Sequence, residues 1–291
     1  MIAIAIADVH LGLNPPACRA ETDWLAVQAG YLKQVKEIAN GCPILCAGDL
    51  FDRWNPPPEL ITFALRHLPN NVICVPGNHD LPLHRADLMH RSGYGVLVEA
   101  GKIVNQSYSK WMNIGFTLTG FGCGAEIVPP TIKADLQVAL IHRYCWVKGA
   151  AYPGAPEESH LRELAKQLKG YQIAIVGDNH QHFIRELKSG LTVCNVGTLI
   201  RRKSDEIDYQ PCVAIINADG TTERQMLDTS KDKFHANPKE REETALDMKA
   251  FIDELEGLGE HGLNFREAVE NHLRSDGISP GVKEIILKAL E

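Results

Sequence analysis

Five apolar runs in this chain each stop abruptly at residues that bind cations or carry protons, and this repetition constrains the fold more than any other feature. Val72 to Val75 stops at Pro76-Gly77-Asn78-His79-Asp80, and Ile2 to Ala7 stops at Asp8-Val9-His10. Pro43 to Ala47 gives way to Gly48-Asp49, Val138 to Ile141 to His142, and Ile173 to Val176 to Gly177-Asp178-Asn179-His180-Gln181-His182. Short runs rich in β-branched residues and punctuated by Gly or Pro read as buried strands. Strands that deliver Asp, Asn and His to one sheet edge match the rule that α/β folds bind ligands at the carboxyl ends of their strands.

The intervening segments supply the helices. Thr22 or Asp23 can cap a helix running to about Ala39, with Leu25, Leu32, Val35 and Ile38 spaced for one buried face and Gly41 ending it. A second helix is expected from about Pro58 to His67, where Leu60-Ile61 and Ala64-Leu65 share a side. Strand, helix, strand, helix, strand gives a βαβαβ unit with a parallel sheet. Lys110 to Gly120 reads as small strands and Glu157 to Leu168 as another helix. Lys188-Ser189-Gly190 and Asp219-Gly220 are hairpin turns between short apolar runs. From these hairpins the second half is expected to be a mostly antiparallel sheet closing over the first.

With 44% hydrophobic and 23% charged residues, the 291-residue chain has the composition of globular protein, enough for one large domain and an appendage. The boundary falls near Thr229 to Pro238, where Ser, Lys, Asp and Asn displace apolar residues. We assign residues 1–230 to one large domain, which carries the strand-end donors, and 231–291 to a helical extension, in which Pro238–Leu255, Phe265–Leu273 and Gly281–Leu290 show helical spacing. These helices either fold back on the domain or bind a partner. No apolar run approaches the roughly 20 residues that span a bilayer, and the first run leads directly into Asp8 and His10, so it reads as a strand and not a leader. The expectation is a soluble cytoplasmic protein without membrane association. Its eight cysteines include no Cys-x-x-Cys pair, and three lie inside apolar runs, as expected of reduced core thiols. The net charge of −7 opposes a polyanionic partner at first sight. Residues 231–291 hold 9 Lys/Arg against 14 Asp/Glu, which leaves −2 for the first 230 residues. Bound divalent cations would reverse that sign.

The chemistry-bearing set is Asp8, His10, Asp49, Asn78, His142, His180 and His182. Singly, each has an ordinary explanation as a turn, cap or hydrogen-bonded side chain. Together they are the oxygen and nitrogen donors, from several strand ends, that a two-ion site needs to hold a nucleophile and a phosphate between ions about 3.5–4 Å apart. His79 and Asp80 stand beside that set.

The ordered pattern Asp-x-His, Gly-Asp, Gly-Asn-His-Asp, His, His-x-His resembles the calcineurin-like metallophosphoesterase superfamily from Asp8 to His182. The resemblance implies a four-layered α/β/β/α sandwich with a dinuclear site. In it Asp8, His10 and His182 would hold one ion, Asn78, His142 and His180 the other, and Asp49 would bridge them. It further implies attack of a metal-activated water on phosphorus, with His79 as proton donor to the leaving oxygen and Asp80 as its orienting carboxylate. Within the superfamily, Ala7 to Gly12 and Gly48 to Arg53, followed by Pro56-Pro57, look like the SbcD-type DNA repair nucleases. That likeness implies Mn2+, with Fe or Zn suited to the same donors, and an SbcC-type coiled-coil ATPase partner bound through the C-terminal helices. A homodimer is compatible with the sequence.

Two departures stand out. The family's Gly-His-x-His motif has two extra residues here, Asp178 and Asn179, and only about 60 residues follow Ser230, too few for both a DNA-capping domain and partner helices. For phosphate contact the candidates are Arg53, Arg143, Arg201, Arg202 and Lys203, with DNA as the expected substrate. The competing readings are a stand-alone phosphatase or cyclic-nucleotide or other small-molecule phosphodiesterase, and a catalytically weak scaffold subunit.

Overall fold

The structure is a computed structural model that describes residues 1–106, 110–112, 116–132, 134–152 and 154–245. Its larger unit comprises Met1–Asn14, Asp23–Arg201 and Asp208–Asp232. In chain order it contains β1 (Ala3–Ile6), α1 (Trp24–Ala39), β2 (Ile44–Cys46), α2 (Pro58–His67), β3 (Val72–Cys74), α3 (Gly93–Glu99), β4 (Ile103–Asn105), β5 (Lys110–Met112), β6 (Thr117–Phe121), β7 (Gln137–His142), α4 (Leu161–Gln167), β8 (Ile173–Gly177), β9 (Phe183–Glu186), β10 (Thr192–Asn195), β11 (Cys212–Ile216) and β12 (Thr222–Met226).

Two six-stranded sheets form, in the orders β12-β11-β1-β2-β3-β4 and β5-β6-β7-β8-β10-β9. Strand alternation explains how they stack. Ile4 and Ile6 of β1 face one way, into a core with Leu32 and Val35 of α1 and Leu60 and Phe63 of α2. Ala3, Ala5 and Ala7 face the other way, against Val138, Leu140, Ile173 and Ile175 of the second sheet. The outer face of that sheet, with Ala139, Ile141 and Val176, packs on Leu161 and Leu164 of α4. Because successive side chains point to opposite faces, both sheets are buried twice, and the result is the expected mixed α/β sandwich of two sheets flanked by helices.

The helix signals locate real caps. The Asp23 side chain accepts from the Ala26 N–H at 2.9 Å and starts α1, and Asn40 at φ 45° ends it. Pro58 occupies the first turn of α2, where its missing N–H costs nothing.

One expectation is corrected. The second sheet is not mostly antiparallel: β6-β7, β7-β8 and β8-β10 pair in parallel, and only the edge strands β5 and β9 run against their neighbours. The hairpin at Asp219-Gly220 is present, but β11 pairs with β1 and so extends the first sheet. Hairpin turns announce themselves locally, whereas parallel pairing depends on long crossovers with no compact signature.

The smaller unit comprises Pro15–Thr22, Arg202–Ile207 and Lys233–Glu291. Within it the guanidinium of Arg19 is buried, hydrogen-bonded to the Glu21 carboxylate and set over the Phe234 ring at 4.8 Å. Ser204 donates its N–H and hydroxyl to Glu242. Residues 238–245 are helical, the start of the first predicted C-terminal helix. The remainder of it and the other two lie outside the described residues. All eight cysteines are free thiols, and no described helix is long and apolar enough to cross a membrane.

Candidate metal centre

The carboxyl ends of β1, β2, β3, β7 and β8 bring the predicted donors together. Leaving β1, the backbone takes left-handed conformations at Asp8 (φ 48°) and His10 (φ 47°), and the loop after β2 does the same at Asp49 (φ 54°). Such backbone costs on the order of 1–3 kcal/mol per non-glycine residue and persists where the surroundings impose it. The imposition is visible: Asp8 N–H donates to Gly48 O at 3.1 Å, His10 N–H to Asp49 O at 2.9 Å and Leu11 N–H to Leu50 O at 2.8 Å. Two bent loops are thus zipped together with their carboxylates inward.

Close packing fixes the neighbours. A Cβ at Gly77 would collide with the Asp49 carboxylate, and one at Gly48 with the His142 ring. His142 Nδ1 lies 2.7 Å from Ala47 O. A carbonyl only accepts, so Nδ1 carries the proton and Nε2 is the nitrogen aimed inward, 2.9 Å from Asn78 Oδ1 and 3.6 Å from Asp49 Oδ1.

Among the described residues, three clusters place ligand atoms within 4.8 Å of one another: Asp8, His10 and His180; Asp8, Asp49 and His142; and His10, Asp52 and His79. Asp49 Oδ2 is 3.7 Å from His10 Nε2, so its two oxygens face two different histidines. Asp8 belongs to two of the clusters and Asp49 to one. His180, not His182, stands with Asp8 and His10, its ring centroid 5.3 Å from that of His10. His182 lies outside the three clusters, against Tyr209 at 5.2 Å, and its buried Nδ1 has no hydrogen-bond partner.

The inserted residues explain this placement. Asp178 adopts φ 82° and its N–H donates to both Asp8 carboxylate oxygens, at 3.0 and 3.1 Å. Asn179 is buried, and its amide donates to Cys145 O and Ala150 O while its oxygen accepts from Gln181 N–H. Asn195 then ties Asn179 O and Gln181 O. The bulge is a braced loop.

His79 is exposed and sits edge-on to His10, centroids 4.8 Å apart. Its Nδ1 meets the Asp52 carbonyl at 2.7 Å, so that nitrogen donates. Asp80 does not orient this ring. Its carboxylate, fully buried, accepts from Gly77 N–H at 2.9 Å, Phe51 N–H at 3.1 Å and Leu50 N–H at 3.3 Å. It joins the Asp49 loop to the Asn78 loop, and Asp52 is the residue at His79. Asp52 was legible as the second aspartate of Gly48 to Arg53, and Asn179 had no sequence signal beyond the insertion.

Electrostatics show why a cation fits these donors. Burial is the main cause raising the Asp8 carboxyl to about 6, with Asp49 adding to it and His180 and His142 opposing. Burial and then Asp49 raise Asp80 to about 7, against its backbone donors. For His142 burial opposes charging, yet Asp49, Asp8 and Asp178 together outweigh it and raise the ring. Burial lowers His182, with help from Arg224, keeping it in the neutral form that ligates. Buried carboxylates beside inward-facing imidazole nitrogens, with no thiolate among them, suit hard or intermediate divalent ions.

Residues 1–181 match the family described as calcineurin-like phosphoesterase. This chain belongs to that family. Members use divalent metals, and the phosphoesterase presents candidate residues to hold them at the strand ends just described. No curated protein matches it. Among solved structures it is similar to TT1561 of Thermus thermophilus, at 15% identity and TM-score 0.44 over 77% of this chain and 97% of that one. A metallophosphoesterase from Sphaerobacter thermophilus shows 14% identity and TM-score 0.38 over 92% and 97% of the two chains. A 5'-nucleotidase precursor from Thermus thermophilus shows 14% and 0.47 over 82% of this chain and 57% of that one.

The basic residues separate. Arg53 is exposed in the loop that follows Asp52. Arg143 is half-buried, with its guanidinium on Gln167 Oε1 at 3.0 Å and Ala125 O at 2.7 Å. Arg201 is paired with Asp232 at 2.9 Å and is 12% exposed. Arg202 and Lys203 belong to the smaller unit.

Proposed function

We propose that this phosphoesterase is a metal-dependent phosphodiesterase acting on DNA, a nuclease subunit of the SbcD type. The observation that carries the hydrolytic part is the cluster of buried Asp8, His10, Asp49 and His142 with the half-buried His180 at the strand ends of the two sheets, with an exposed histidine beside it. Asp8, His10, Asp49, Asn78, His142 and the His180/His182 pair would hold two divalent ions, Mn2+ on the nuclease likeness. When bound, such ions supply positive charge that polarises a phosphate and makes water a stronger nucleophile at neutral pH. The residues do the rest. Asp49 fixes the distance between the His10 and His142 sides, and His79 has Nδ1–H held on Asp52 O, so that a proton on Nε2 can pass to the leaving oxygen.

The nuclease assignment is supported by Ala7 to Gly12 and Gly48 to Arg53, which look like that subfamily, and by the exposed Arg53 beside Asp52. The partner would be a coiled-coil ATPase bound through residues 239–291. Deleting these residues should release a copurifying ATPase, and retention of the ATPase by the shortened chain would defeat that part of the proposal. For the activity itself, Mn2+-dependent cleavage of linear duplex and single-stranded DNA is measured beside bis-p-nitrophenyl phosphate, with His79→Ala and Asp49→Ala as controls. DNA cleavage lost in both variants supports the nuclease. Hydrolysis of the small ester alone would assign the phosphoesterase to small phosphodiesters instead.

A further inference from the structure

The loop that follows β7 carries an aromatic pair at the edge of the metal centre. Tyr144, two residues after His142, meets Tyr152 with ring centroids 4.9 Å apart and planes tilted by 47°. The Tyr144 hydroxyl accepts the Tyr152 N–H at 3.3 Å. Tyr152 is 53% exposed. The third aromatic of the loop, Trp146, is occupied differently: its indole N–H donates to Pro156 O at 2.8 Å and its ring packs edge-on against His160.

This loop is braced by hydrogen bonds where it meets the centre. Asn179, next to His180, donates to both Cys145 O and Ala150 O, which welds the loop to the bulge described above. Trp146 N–H and O pair with Ser159 and Leu161, and Ala150 N–H returns to Val147 O. Arg143, Tyr144 and Cys145 follow His142 directly, and Cys145 O is bonded by Asn179 beside His180, so this loop lies on the rim of the centre. On that rim Arg143 is held by two neutral oxygens, with no carboxylate partner among the described residues, and its charge stays free.

The hydrogen bonds at Cys145, Trp146 and Ala150 hold the loop backbone that presents the exposed Tyr152, which lowers the ordering cost of binding there. Aromatic side chains stack on any base, and basic side chains beside them meet the flanking phosphates. We propose that Arg143, Tyr144 and Tyr152 form a nucleoside subsite, in which the tyrosine pair stacks on an unpaired base and Arg143 holds the phosphate next to the one cleaved. This rests on the phosphodiesterase reading and narrows it: the substrate is single-stranded nucleic acid, a frayed end or a nucleotide, since bases stacked inside a duplex cannot reach the rings.

The test compares thymidine 5'-(p-nitrophenyl phosphate) with methyl p-nitrophenyl phosphate in Mn2+, two diesters with one leaving group, one with a base and one without. The wild type should prefer the thymidine ester by about tenfold, within the range of base–aromatic stacking. Tyr152→Ala should remove most of that preference through KM, and Tyr152→Phe should restore it. Fluorescence of 2-aminopurine riboside 5'-monophosphate supplies a readout independent of turnover: the wild type and Tyr152→Phe should quench it, and Tyr152→Ala should not. An undiminished preference and undiminished quenching in Tyr152→Ala would overturn the subsite. Absence of turnover of either ester by the wild type would overturn the phosphodiesterase reading while the quenching still decides the subsite.

Discussion

At the scale of residues, donor identity was readable because a cation site needs Asp, Asn and His in positions where a strand has just ended. How those residues divide the work was not readable. Asp80 follows His79 in sequence, yet its carboxylate turns inward and accepts three backbone N–H groups, from Gly77, Leu50 and Phe51. The histidine ring turns to Asp52 O instead. Neighbours in a sharp turn point apart, so adjacency misleads. The two roles make opposite predictions. Asp80→Ala leaves three buried donors without their acceptor, each worth about 1–3 kcal/mol, and lets the Asp49 and Asn78 loops separate. A fall in Tm with weaker Mn2+ binding is expected, read by thermal melting and by metal titration. Asp80→Ala with normal metal affinity and lost turnover alone would return Asp80 to a catalytic role. His79→Gln should do the reverse, with turnover reduced by about 10²–10⁴-fold and metal stoichiometry intact by elemental analysis.

At the scale of elements, strands and capped helices followed from local pattern, while their partners did not. Each of β1, β2, β3, β7 and β8 ends within one residue of the end of its apolar run, because the polar loop begins where the sheet stops excluding water. Sheet membership of β11 and the parallel core of the second sheet depend on chain crossovers that no window of sequence contains. The same distinction separates two glycines that look equivalent in sequence. Gly30 sits in α1 with nothing within 4 Å of a Cβ placed there. Gly30→Ala removes the entropy penalty of an interior helix glycine and should stabilise the protein by roughly 0.5–1 kcal/mol. Gly77 leads from β3 into the Asn78 loop, and a Cβ there meets the Asp49 carboxylate and lies 2.5 Å from its backbone nitrogen. Gly77→Ala must displace Asp49 and should lower both stability and metal affinity. Denaturant melts of the pair measure the contrast, and a neutral Gly77→Ala would mean that the Asp49 loop is looser than its hydrogen bonds indicate.

At the scale of the whole molecule, the sandwich places its most costly groups at the junction of both sheets, and this makes stability depend on pH and metal together. The unfolded chain ionises Asp8 and Asp80 near their ordinary value of 3.8, whereas burial holds the folded groups to about 6 and about 7. Between those limits the folded state binds more protons, so the metal-free protein loses stability as pH rises from about 4 to about 7. His142, raised above 6.5, acts in the same direction, because stability from its proton is lost as pH climbs through its folded value. Glu21 is lowered, its Arg19 and backbone hydrogen bonds outweighing burial, and works the other way. Its contribution is present above 4.5 and is lost as pH falls through the lower folded value, at the acid end of the first window. A divalent ion competes for the sites those protons occupy and binds more tightly once they have left. The rise in Tm on adding Mn2+ should therefore be large at about pH 8 and small at about pH 5, and chelation at about pH 8 should produce the least stable form. In the metal-free protein Asp8→Asn removes one of the buried charges, so it should flatten the pH slope while also reducing the Mn2+ effect. Thermal melts with chelator or Mn2+ across this range read both quantities. A metal-induced rise that is the same at both pH values would show that these carboxylates are not where the ion binds.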